Sequence, residues 1–142
     1  MEICNITIEG APIPLQRHRH RKNMNGEVKT YDPNIDDKRM FQWMAISKFN
    51  PKKPLTLPIY IDVTFCFKRP KSHYSTGKNS GMLKENVPDF HDKKPDLDNL
   101  IKFVKDSLNK IYWKDDSLII GIRSVKIYGD KPYTKLIVHQ VN

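Results

Sequence analysis

The sequence predicts an α+β fold: one domain in β-α-β-α-β-β order, with a small mixed sheet carrying helices. Three observations predict it. Residues 57–67 alternate apolar and polar side chains, as a half-buried strand does. Leu97, Leu100, Ile101, Val104 and Leu108 recur at helical spacing. The 142 residues suit one domain spanning 1–142, without internal repeat or evident linker.

The elements follow in order. Residues 3–8 read as a short strand, ended by Gly10, Pro12 and Pro14. Residues 15–31 are polar, basic and Gly/Asn-containing, and read as a mobile loop. Asp32-Pro33 starts a helix, with Asp32 as cap, that runs to about residue 49. Phe41, Met44, Ala45 and Phe49 form much of its apolar face, and Pro51 and Pro54 close it. In the 57–67 strand, Ile59, Ile61, Val63, Phe65 and Phe67 share the face expected to be buried. Residues 68–95 have no period, and a loop that long is usually functional or disordered. A helix covers about 96–110. Strands at 118–128 and 133–141 flank the turn Gly129-Asp130-Lys131-Pro132, which predicts that they pair as a hairpin.

Composition narrows the function. With 38% hydrophobic residues the chain is too apolar to be disordered, and no apolar run approaches a membrane span. The first ten residues lack the basic and apolar regions of a secretory signal, so a cytoplasmic protein is expected. Cys4 and Cys66 read as structural thiols. Lys plus Arg is 25 against 16 Asp plus Glu, a formal charge of +9 that favours a polyanionic partner, nucleic acid foremost.

The charge is unevenly placed. Arg17, Arg19, Arg21 and Lys22, interleaved with His18 and His20, make a dense basic run that reads either as DNA phosphate contacts or as a solvated loop. Residues 68–94 hold seven Lys/Arg against three acids, with Lys71, Lys78, Lys93 and Lys94 as further candidate DNA contacts. Residues 96–116 then carry five of the 16 acids. Carboxylates repel phosphate unless a cation lies between, so this order suggests metal ions bridging the protein to a phosphodiester.

The informative stretch is Asp96-Leu97-Asp98-Asn99-Leu100-Ile101-Lys102, followed by Trp113-Lys114-Asp115-Asp116. Chain still extended at the helix entry points Asp96 and Asp98 to one side. Lys102 follows Asp98 by one helical turn. Phosphodiester hydrolysis needs a nucleophilic water, neutralised phosphate charge and a stabilised leaving alkoxide. Mg²⁺ held by carboxylates serves all three, and two ions about 4 Å apart clamp the attacking and leaving oxygens. The same residues also fit a plainer account, in which Asp96 caps a helix, Asp98 pairs with Lys102 and Asp115-Asp116 makes a polar turn. Trp113 reads as core, and His91, five residues before Asp96, as a solvent or phosphate contact. There is no P-loop, no dinucleotide-binding glycine pattern, no G-x-S-x-G and no zinc-ligand spacing.

At these residues the chain resembles the RusA family of Holliday-junction resolvases, endodeoxyribonucleases frequent in prophages. Asp96 through Lys102 is similar to the family's D-x-D-N-x-x-K signature, Asp106-Ser107-Leu108 to its D-A-L, and Trp113 through Asp116 to its W-x-D-D. The resemblance implies a RusA-like fold and a Mg²⁺-dependent homodimer that nicks two strands of a four-way DNA junction symmetrically, with Mn²⁺ as a possible substitute. It implies Asp96, Asp98 and Asp116 as metal-binding carboxylates, Lys102 as the catalytic lysine, and Asn99 and Asp115 in support. Residues 71–84 look longer than the family pattern; Tyr74 and Lys71, Lys78 and Lys84 there read either as DNA contacts or as a solvated loop. Two other functions stay open from sequence: a non-catalytic nucleic-acid-binding protein, and the same nuclease centre acting on forks or flaps.

Overall fold

The computed structural model describes residues 1–141, so Asn142 of the predicted domain lies outside the described residues. In chain order the elements are β1 (Glu2–Glu9), β2 (Arg19–Lys22), β3 (Val28–Tyr31), α1 (Ile35–Lys48), β4 (Ile59–Lys68), α2 (Leu97–Leu108), β5 (Ile119–Gly129) and β6 (Tyr133–Gln140). One mixed sheet has the order β1-β6-β4-β5, and β2 and β3 form a separate two-stranded sheet.

The alternation along β4 organises the core. Ile59, Ile61, Val63 and Phe65 are each at most 1% exposed and form one row against the helices. Ile6 and Ile8 of β1 and Leu136 and Val138 of β6 extend this row across the sheet. From α2 come Leu100, Phe103, Val104 and Leu108; from α1 come Phe41 and Ala45. Phe41 and Phe103 meet edge to face, with ring centroids 5.5 Å apart, where the two helices touch. Phe67, the last of the predicted row, is only partly buried and stacks on His91 at 3.9 Å.

β4, α2 and β5 form a parallel β-α-β unit. β6 then pairs antiparallel with β4 on its other side, and with β1. The predicted β5–β6 hairpin therefore does not form: β4 lies between the two strands. Burial is the reason. β4 is the most continuously apolar strand and takes a central position, where both edges are paired. The Gly129–Pro132 turn passes over the end of β4 instead of closing a hairpin. A Cβ at Gly129 would lie 2.6 Å from the Cys66 sulfur, so that crossing requires glycine.

Three further expectations change. Residues 15–31 are not a featureless loop, because 19–22 and 28–31 pair as a hairpin. Its turn is built by Asn23, whose Oδ1 accepts the backbone N–H groups of Asn25 and Glu27, and by Gly26 at φ +81°. α1 starts later than the Asp32 cap predicts. Asn34 holds the cap position, while the Asp32 carboxylate accepts the Asn34 N–H at 2.8 Å and pairs with Lys38 at 2.7 Å. The long 68–95 segment carries two 3₁₀ turns, and its end lies along the edge of β5. There Tyr128 donates its backbone N–H to Asp89 and His91 donates its own to Lys126. That contact covers an otherwise open strand edge. Among the described residues, no helix is long and apolar enough to cross a membrane.

Candidate active site

α2 begins where Pro95 gives way to Asp96, whose backbone is extended (φ −68°, ψ 144°). This is N-cap geometry, yet the Asp96 side chain makes no capping hydrogen bond. Its carboxylate is left free. Asp98 sits in the first helical turn, where a carboxylate is favoured by the helix dipole. The predicted convergence of Asp96 and Asp98 is present, although Asp98 is already helical and not extended. Both line one open cavity of about 380 Å³ with Asn99, Lys102, Leu15, Gln16 and Arg17.

Lys102 Nζ lies 3.8 Å from Asp98 Oδ2, and both side chains are more than half exposed. So loose a pair contributes little to stability and leaves both groups free to meet a substrate. Arg17 is a second basic residue in the lining. The cavity thus presents two carboxylates beside two cations, the mixture expected where a phosphate meets a metal ion. The basic-loop residues divide: Arg17 lines this cavity, while Arg19, Arg21 and Lys22 stand on the β2–β3 hairpin.

The fit to Mg²⁺ rests on this donor set. Mg²⁺ takes one or two carboxylates and completes its octahedron with water and substrate phosphate oxygens, a share that Asp96 and Asp98 would supply. Among the described residues, no group of three His, Cys, Asp or Glu side chains is drawn together tightly enough to hold a metal by itself. Asp116 is not among the residues lining the cavity, and its Oδ1 accepts the Trp113 indole N–H at 2.8 Å. Asp115 caps the short 3₁₀ turn at 116–118. Hydrogen bonds from Ser117, with its N–H at 2.9 Å, hold the Asp115 carboxyl below the usual carboxylate range.

Sequence reasoning missed two arrangements. One is the Trp113–Asp116 bond. Trp113 is fully buried, as its core reading requires, but it also orients an aspartate. The other joins Lys38 of α1 to Asp32 at 2.7 Å and to Asp106 of α2 at 3.5 Å. Burial opposes ionisation of Asp32, but the Lys38 hydrogen bond and charge, with the Asn34 N–H, outweigh it and keep its pKa low. The fully buried Asn34 accepts the Gln16 N–H at 2.6 Å, and the Leu15 N–H reaches Asn99 O at 2.9 Å. These bonds tie Leu15 to α2 and Gln16 to the start of α1. Helical spacing alone gives no sign of either arrangement.

Other predicted residues lie away from the cavity. Lys71 and Lys78 sit in the two 3₁₀ turns of the long segment. Tyr74 there bonds Asp130 through its hydroxyl at 3.1 Å. The Lys93 carbonyl accepts the Lys126 ammonium, while neither Lys93 nor Lys94 lines the cavity. His91 is packed between Phe67 and Tyr128, and burial, reinforced by the nearby Lys126 charge, lowers its pKa. It does not face the aspartates.

Comparison with known proteins places the chain in a family. A protein of Bacillus subtilis (strain 168), described as "Uncharacterized protein YqaN", is 30% identical over 149 residues, covering 100% of this chain and 99% of that protein. The family described as "Endodeoxyribonuclease RusA" matches residues 9–139, which take in both helices, β4, β5 and nearly all of β6. The chain belongs to the RusA endodeoxyribonuclease family, enzymes that hydrolyse DNA phosphodiester bonds.

Proposed function

We propose that the chain, as one nuclease unit in a cytoplasmic homodimer, resolves four-way DNA junctions by paired symmetric nicks in the presence of Mg²⁺. The observation that carries this reading is the Asp96 carboxylate, placed at a helix entry without capping it and sharing one cavity with Asp98, Asn99 and Lys102. A purely structural aspartate at that position would bond the helix N–H groups.

Asp96 and Asp98 would hold the metal, with Asp116 as the third carboxylate of the set. When bound, Mg²⁺ supplies Lewis acidity, neutralising phosphate charge and acidifying a coordinated water. The protein's own groups do the rest. Arg17 in the lining positions the phosphate. The Lys102 ammonium offsets charge on the departing oxygen and can give it a proton. Asn99 offers amide donors and acceptors beside the carboxylates. A two-fold dimer suits the substrate, because a junction has two equivalent scissile strands and an isologous pair presents two equivalent centres.

The test is cleavage of a labelled synthetic four-way junction, with and without Mg²⁺, by wild type and Asp98→Asn. Symmetric nicking that needs both the metal and Asp98 is expected, with junction binding retained by the variant. Full cleavage by Asp98→Asn would overturn the reading. Forks, flaps and linear duplex at equal concentration define which branched substrate is preferred.

A further inference from the structure

The β2–β3 hairpin stands apart from the main sheet, and all eight of its strand residues are exposed. An isolated two-stranded hairpin is marginally stable in water. Residues 17–31 carry Arg17, Arg19, Arg21, Lys22 and Lys29 against one acid, Glu27. The register sorts these charges. Arg19 lies opposite Tyr31 and Arg21 opposite Lys29, so these four share one face. His20 opposite Thr30 and Lys22 opposite Val28 make the other. On that second face His20 Nδ1 and Thr30 Oγ1 are 3.0 Å apart and partner each other.

We propose that the Arg19–Arg21–Lys29–Tyr31 face is a DNA-gripping surface that lies along the phosphates of a duplex arm next to the Asp96–Asp98 cavity. Three arguments support it. Arg21 and Lys29 are like charges directly opposite each other, an arrangement that weakens a free hairpin and is relieved when an anion lies between them. A two-stranded ribbon is also narrow enough to follow the major groove. The ribbon's base, finally, is fixed while its arm is free. Leu15 is bonded to Asn99, Gln16 to the buried Asn34, and Asp32 to Lys38. Arg17, which lines the cavity, lies two residues before the ribbon's first strand. A strand of DNA gripped by the arm is thereby led to the carboxylates. The Tyr31 ring, 44% exposed, completes the face with a flat surface for sugar or base contact.

This inference rests on reading the cavity as the place of cleavage, and its test separates the two. Binding of a four-way junction and of linear duplex is measured in metal-free buffer over a range of salt. The variants are Arg21→Ala/Lys29→Ala on one face and Val28→Thr/Thr30→Ala on the other. The first pair is expected to weaken binding about tenfold. It should also flatten the dependence of log affinity on log salt by about 2, since each phosphate neutralised by the protein adds near 0.9 to that slope. The opposite-face pair should bind as wild type does. The charge-retaining exchange Arg21→Lys/Lys29→Arg should keep affinity within a few fold, which guards against simple loss of the hairpin. Unchanged binding by Arg21→Ala/Lys29→Ala, or equal loss from both faces, would overturn the proposal. Wild-type cleavage with Mg²⁺ is run alongside. Normal ribbon-dependent binding without cleavage defeats the cleavage reading alone, and normal cleavage with ribbon-independent binding defeats the ribbon alone.

Discussion

The indole nitrogen of Trp113 donates to Oδ1 of Asp116 across 2.8 Å, and the ring it belongs to is fully buried. A rigid core side chain thus fixes one oxygen of the aspartate proposed above as the third metal carboxylate. Under that proposal Trp113 acts as a positioning residue, and its conservative replacement separates packing from orientation.

Trp113→Phe keeps most of the apolar volume and removes the donor. Cleavage is expected to fall about 10- to 100-fold, the usual effect of losing a group that orients a metal-binding side chain. Junction binding without metal should be unchanged. The Mg²⁺ concentration for half-maximal cleavage should rise, a shift that simple loss of packing would not produce. A metal titration of cleavage, with a thermal melt as control, checks this.

Asp96 distinguishes a cap from a ligand. A capping aspartate replaced by Ala costs about 1 kcal/mol of stability. The Asp96 side chain makes no capping bond, so Asp96→Ala should leave denaturant stability within about 0.5 kcal/mol of wild type. The same variant should abolish cleavage. Loss of stability with cleavage intact would return Asp96 to the plain role of a helix cap.

Lys102 sits 3.8 Å from Asp98 in an exposed pair. Lys102→Met is expected to reduce the single-turnover cleavage rate about 100-fold, the scale for one lost charge-stabilising donor. The melting temperature should not move, because exposed ion pairs contribute little. Lys102→Arg restores charge but not the small ammonium head, and partial rescue would favour charge stabilisation over proton donation.

How much of this was legible in the sequence depends on burial. β4 and α2 are each buried on one side, so their periods of 2 and 3.6 stand out in the residue pattern. The β2–β3 ribbon is solvated on both faces, and no apolar alternation betrays it; only Asn23 and Gly26 hint at its turn. The β5–β6 pairing fails for another reason. Gly129-Asp130-Lys131-Pro132 is a real turn, but which strand lies between its arms is fixed by the competition of β4 for the sheet centre, a non-local effect. The cavity residues Asp96, Asp98 and Lys102 were legible because they lie within two turns of one another. The clamp of Lys38, Asp32 and Asp106 joins the start of α1 to α2, across nearly 70 residues of chain, and helical spacing gives no sign of it.

That clamp makes a pH prediction. The Asp32 pKa is held below its ordinary value of 3.8 in the folded chain. A depressed carboxylate stabilises the fold above its unfolded pKa, and the gain is lost as pH falls through the folded pKa. Asp32→Asn should therefore cost about 1 kcal/mol at pH 7, where the Lys38 pair is intact. The gap between wild type and variant should stay constant down to about pH 4 and close below it, as wild type loses its own contribution. Urea unfolding at several pH values measures the gap. Because Asp32 anchors one end of the β2–β3 ribbon, hydrogen exchange should speed up at Arg19–Tyr31 in the variant before the core strands are affected. A gap that widens in acid, or exchange that rises uniformly across the sheet, would show that Lys38 and Asp32 do not hold the ribbon's base.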